Sequence, residues 1–289
     1  MFKKITSLFC LSLLLISPIT PLFQGSADNT PVQKDKCISV AQRVSGAPVP
    51  DARGAYLMHL DSKEELYDLL ENGIDWKSKP WGQSHLGAGV YAALVNSDEI
   101  TPEFSENYFA WFRDNADPVT GFWKKDVADK APLNGHAMCI GDQAVLFQYM
   151  AGGFHYLFNH EYAKQPLMYP EKVIDSCIDL YNKGLPDTFG MYCDFLEIDW
   201  VFCMTRALRQ TTHRHDEAMA QLWDFAKKYV KNLTKDDYFS ENNRFNDRFN
   251  DLHCLFGASC CLAELQQTFR GQIVSDKPLK LVLDRRPFI

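Results

Sequence analysis

Three histidines hold matching positions in otherwise dissimilar segments: Gly82-Gln83-Ser84-His85, Gly152-Gly153-Phe154-His155 and Asn250-Asp251-Leu252-His253. A fourth segment, Tyr192-Cys193-Asp194-Phe195, carries an aromatic residue at that position and an acid one place earlier. Neutral imidazole acts as a general base or a ligand, so a cavity shared by His85, His155 and His253 is a candidate site. Asp194, Asp199 and Asp251 supply carboxylates. Two carboxylates, one protonated as acid and one acting as base or nucleophile, are what cleavage of a glycosidic bond uses. Asp194 and Asp251 also suit helix N-caps. Asp199 lies between Ile198 and Trp200, where an unpartnered buried carboxylate is costly. It is expected to serve the site or to pair with Arg206, Arg209 or another interior base.

Around these groups, Trp81, Trp123, Tyr192 and Trp200 offer aromatic surfaces. Arg244 and Arg248, with Asn246, Asp247 and Asn250, form a polar loop before the last histidine segment. Aromatic platforms beside hydrogen-bonding groups hold sugars, although aromatics at helical spacing also build cores. The ligand expected from this set is a poly- or oligosaccharide. The sequence has no Gly-x-Ser-x-Gly, Walker loop, dinucleotide fingerprint or His-Glu-x-x-His. Nucleotide-dependent and α/β-hydrolase chemistry are therefore set aside, and neither cofactor nor metal is assigned.

The elements that must position these residues read as helices, giving an all-α chain. Ser62 with Glu65 is a capping box for a helix ending near Asn72. Thr101-Pro102-Glu103 opens an amphipathic aromatic helix that stops at Asp117-Pro118. Tyr169-Pro170-Glu171 repeats that start, and Asp216 is read as the cap of a third helix with Met219, Leu222, Trp223, Ala226 and Val230 on one face. Between them lie segments 84–96, 153–163, 194–211 and 250–268, apolar or small on most sides, as helices buried among other helices are. Amphipathic and buried helices thus alternate. A turn recurs between them, as Asp117-Pro118-Val119-Thr120-Gly121 and as Leu185-Pro186-Asp187-Thr188-Phe189-Gly190.

This alternation and the Asp-Pro-x-Thr-Gly-Phe-Trp turn, over residues 80–270, resemble the α/α-toroid proteins. Those include six-hairpin glycosidases, polysaccharide lyases and terpenoid-cyclase-like enzymes. The resemblance implies parallel inner helices around an axis, with outer helices wrapped round them. Four inner helices are legible where a full toroid has six, so an incomplete ring and an irregular helical bundle both stay open. The resemblance also implies that inner-helix N-termini converge on one mouth, with Asp194 and Asp251 as an acid/base pair there. Among toroids the protein prenyltransferases and lanthionine cyclases bind zinc through Cys, His and Asp. Here Cys193, Asp194, His253 and Cys254 are the corresponding residue types, at spacings that match neither family.

The N-terminus is expected to direct the chain out of the cytoplasm, as a cleaved signal peptide or, as the rival reading, an uncleaved signal anchor. Lys3 and Lys4 precede an apolar run from Ile5 to Ile16, and Gly25-Ser26-Ala27 offers small residues for cleavage. Residues 1–27 are read as a signal peptide, 28–55 as a surface arm, and 56–289 as one helical domain, secreted or periplasmic. No later stretch is apolar enough to span a bilayer. Loss of Lys3 and Lys4 takes the net charge from −7 to −9, which disfavours nucleic acid as a partner. Eight cysteines follow Cys10, an even number that permits disulfides without defining them. Asn232-Leu233-Thr234 is a glycosylation sequon. Two functional classes fit these features: a secreted glycoside hydrolase or polysaccharide lyase, and a non-catalytic helical protein that binds a protein or glycan partner.

Overall fold

The computed structural model describes residues 60, 62–77, 79–123, 143–185, 189–191, 193, 195–234, 252–285 and 287. Among them the chain is mostly helical and contains no strand. Helix α1, Lys63–Asp68, starts where the capping box forms: Ser62 Oγ accepts from the Glu65 amide while the Glu65 carboxylate accepts from the Ser62 amide. A π turn, Leu69–Gly73, extends it. Pro80 then opens α2, Pro80–Asn96, and Pro102 opens α3, Pro102–Asp114, with Thr101 Oγ1 capping the Phe104 amide. Proline costs nothing at these first positions because its missing N–H would lack a helical partner anyway.

The longest helix, α4, spans Gln143–Ala163, ten residues earlier than the apolar segment at 153–163 suggests. Helix α5, Pro170–Asp179, again starts on proline and runs into a π turn, Leu180–Gly184. Helices α6, Phe195–Leu208, α7, His215–Leu233, and α8, Leu252–Thr268, complete the set. The cap expected from Asp216 does not form. Arg214 holds the capping position in the left-handed region at φ 47°, and makes no side-chain cap.

Helices α2, α4, α6 and α8 pack in succession, each against the next. Their contacts climb both partners together, so the four run parallel. Ser84 meets His155 and, further on, the Ala88 carbonyl accepts from Asn159. Phe195 meets His253, and Arg206 meets Glu264. Glycines set the close approaches. A methyl group on Gly257 would lie 2.4 Å from the Phe195 Cα, and one on Gly87 would lie 2.7 Å from the Tyr156 hydroxyl. Helix α6 is buried on every side from Leu196 to Ala207, which accounts for its lack of a polar face.

Three of the remaining helices, α3, α5 and α7, are amphipathic and cover this row. In α3, Tyr108 donates to the Gly87 carbonyl while Tyr91 pairs with Ser105, so α3 runs against α2. In α7, Trp223 meets Phe269 and Tyr229 donates to the Ala258 carbonyl, so α7 opposes α8. The core face of α7 is Ala218, Leu222, Phe225, Ala226 and Tyr229; Met219, Trp223 and Val230 are only half-buried. Each fully buried Leu or Phe on such a face contributes about 1.5–3 kcal/mol. The turn Asp117–Gly121 ties α3 to α5. Its Asp117 carboxylate accepts from both the amide and the hydroxyl of Thr120, and Ser176 of α5 donates to the Thr120 carbonyl.

At the far end of the row lies a charged network. The Arg206 side chain is fully buried and forks onto Glu264 and Asp284, with Glu161 at 3.7 Å. Arg209 bridges Glu161 and Asp284. Asp284 belongs to the C-terminal tail, which leaves α8 and is held by the Gln266 side chain at Ser275 and Leu279. Leu283 is buried, and the Pro287 carbonyl accepts from Asn96 at the end of α2.

Candidate functional site

The parallel helices bring His85, His155 and His253 to one end of the row, together with two aromatic rings. The His85 and His155 rings have centroids 4.1 Å apart. His253 stacks flat on Phe195, at 4.2 Å and an interplanar angle of 7°. Trp81 lies 6.2 Å from Phe195 and edge-on to Phe147. His85 and His253 reach solvent, Trp81 and Phe195 are half-buried, and His155 is only 7% exposed. The shared position of the three histidines arises differently from the sequence expectation. His85 and His253 lie near helix starts, whereas His155 is in the middle of α4 because that helix begins at Gln143.

Hydrogen bonds orient two of the rings. His85 Nδ1 is 3.3 Å from the Gly82 carbonyl, and His155 Nδ1 is 2.9 Å from Ser84 Oγ. Desolvation by the packed rings lowers the pKa of His85, and the nearby His253 lowers it further. His155 is held well below the ordinary histidine range, first by burial and then by His85 and His253. A charged imidazole loses hydration on burial and repels a second one, so both rings are neutral at neutral pH. The His85–His155 pair can accept hydrogen bonds and does not present fixed positive charge.

Other expected site residues go elsewhere. Trp123 is core: 4% exposed, it stacks on His160 and donates to the Phe112 carbonyl. It packs there because the Asp117–Gly121 turn folds it back under α3, with a bridge from Ala116 to Trp123. Trp200 is likewise buried, donating to the Cys177 carbonyl. Asp199 is 2% exposed within α6. Its expected partners are engaged at the opposite end of the row, where Arg206 and Arg209 bind Glu161, Glu264 and Asp284. Asp194, Asp251, Tyr192, Arg244 and Arg248 lie outside the described residues, as do residues 1–55, where a signal peptide and a surface arm were expected. In sequence, Asp194 directly precedes Phe195, and Asp251 lies two places before His253.

The thiols are structural in character. Cys177, Cys203, Cys260 and Cys261 are free and buried, and burial raises the pKa of each, that of Cys260 to about 12. Such thiols are poor nucleophiles. Cys193 is buried too, against the Gly190 and Tyr229 carbonyls. No group of three or more His, Cys, Asp and Glu among the described residues is arranged to hold a metal ion. The sequon asparagine is buried as well: Asn232 is 5% exposed and donates to the Gly190 carbonyl.

Two contributors escaped the sequence reading as site residues. Ser84 is fully buried beside His155. Its signal was a polar residue next to a histidine on a helix otherwise apolar or small. Phe195 was noted only as the aromatic that fills the histidine position, and its ring is the platform under His253. Among the described residues no helix is long and apolar enough to cross a membrane. No protein-family model matches the sequence, and neither a curated protein nor a solved structure is significantly similar to it.

Proposed function

We propose that the protein is an exported carbohydrate-active protein of α/α-toroid type, a glycoside hydrolase or polysaccharide lyase. The observation that supports this reading is the meeting of His85, His155 and His253 with Trp81 and Phe195 at one end of four parallel helices. Neutral imidazoles accept from sugar hydroxyls, and half-buried rings stack on sugar faces. Asp194 and Asp251 then act as the acid/base pair, one giving a proton to the leaving oxygen and the other activating water. Parallel inner helices with antiparallel outer ones are also what an arc of a toroid consists of.

The test is a turnover assay on a panel of neutral and acidic polysaccharides, with Asp194→Asn, Asp251→Asn, His85→Asn and His253→Asn beside the parent. New reducing ends from the parent identify a hydrolase, and unsaturated ends identify a lyase. Either activity should fall at least a hundredfold in both Asp variants while their melting temperatures stay within a few degrees. A parent that binds glycans without cleaving them would move the protein to the non-catalytic class. The burial of Trp123 favours that second reading, because it removes an aromatic platform from the site.

A further inference from the structure

We infer that Ser84 is a positioning residue that fixes the tautomer of His155, so that the His85–His155 pair presents only hydrogen-bond acceptors to a ligand. Ser84 Oγ has one proton and two neighbours, the Trp81 carbonyl at 2.5 Å and His155 Nδ1 at 2.9 Å. A carbonyl oxygen only accepts, and two oxygens that close must share a proton. The Ser84 hydroxyl therefore donates to Trp81, and His155 Nδ1–H donates to Ser84. His160, one turn further along the same helix, uses Nδ1 in the same way toward the Tyr156 carbonyl.

His85 obeys the same rule without the serine. Its Nδ1 faces the Gly82 carbonyl and must carry the proton. In both rings Nε2 is then the atom with the lone pair. With both rings neutral, the pair has no donor left to offer. The ligand group it fits is one that donates, which on the carbohydrate reading proposed above is a sugar hydroxyl. That last step rests on the proposed function; the tautomer assignment does not.

The test reads nitrogen chemical shifts and long-range proton couplings of the imidazoles in the purified protein labelled with 15N-histidine, near neutral pH. His155 is assigned by comparison with His155→Asn, and told apart from His160 with His160→Asn. The expected spectrum has a protonated Nδ1 and an unprotonated Nε2 for His155. In Ser84→Ala the Nε2–H form should become at least a third of the population, and Ser84→Thr should restore the parent pattern. An Nε2–H tautomer in the parent overturns the assignment, and so does a Ser84→Ala spectrum identical to the parent's. Because the parent spectrum needs no variant, a Ser84→Ala chain that fails to fold leaves the assignment testable. Absence of both glycan turnover and glycan binding, together with the expected spectrum, would remove the carbohydrate reading alone.

Discussion

His85 of α2 and His155 of α4 stack at 4.1 Å with an interplanar tilt of 45°, one ring reaching solvent and the other closed off beneath it. Their pKa values are both lowered, as is that of His160, to about 4. The sign of the effect on stability follows. The unfolded chain takes up these protons near pH 6.5, where the folded chain refuses them, so the unfolded state binds more protons below that pH. Stability should be flat above about pH 6.5 and fall as the pH drops toward 4. His160 alone accounts for about 3 kcal/mol over that range. Urea melts at several pH values check this, and His160→Asn should shrink the slope. A parent equally stable at both ends would contradict it.

The buried Arg206 makes a second prediction. Removing one member of a buried ion pair leaves the other charged and dry, at a cost of about 3–5 kcal/mol. Arg206→Met should lower stability by that amount, measured by denaturant unfolding. The double variant Arg206→Met/Glu264→Gln should recover part of the loss, because the orphaned carboxylate is gone.

Two glycines should behave oppositely. Gly257→Ala puts a methyl group against the Phe195 backbone, forcing α6 and α8 apart. A loss of about 3 kcal/mol is expected, with the stacking of His253 on Phe195 disturbed. Gly82→Ala meets no atom within 4 Å and should gain about 0.5–1 kcal/mol from the helix alone. Thermal melts of both variants distinguish packing from backbone entropy.

The sequon Asn232-Leu233-Thr234 should stay unmodified in folded protein. Asn232 Nδ2, the atom a glycan would occupy, donates to Gly190 within a buried contact. Secretion from a host that glycosylates asparagine, followed by intact mass measurement, should give the unmodified chain. A monodisperse glycosylated form with the parent's melting temperature would refute this.

Local chemistry explains which parts of the fold could be read from the residues. Ser62-Glu65 and Thr101-Pro102 specify helix starts by bonds within four residues, so they were legible. The beginning of α4 was not: Gln143 lies nine residues before Gly152-Gly153, and the glycine pair reads as a break although it provides close packing to Pro80 and Phe122. Asp216 looked like a cap, but Arg214 ends its loop by pairing with Asp175 and Glu217, and α7 starts a residue earlier. At the site, the registry of His85, His155 and His253 was visible as a pattern. Its partner Ser84 was not, because that role depends on a contact between α2 and α4. Trp123 was misjudged for the same reason: residue type permits a mouth or a core, and tertiary contacts decide.

The bond from Asn96 to the Pro287 carbonyl, with Asp284 on Arg206 and Arg209, has a kinetic meaning. It joins the end of the first buried helix to a residue 191 positions further along the chain. An open stack of helical hairpins can fold from one end as it emerges from the ribosome and fray from the other. Here the bottom of α2 gets its partner only after α4, α6 and α8 have all been synthesised, so the closing event waits for the whole row. High contact order makes that event slow. Once made, it couples the two ends of the row, so unfolding should be a single cooperative transition instead of stepwise peeling.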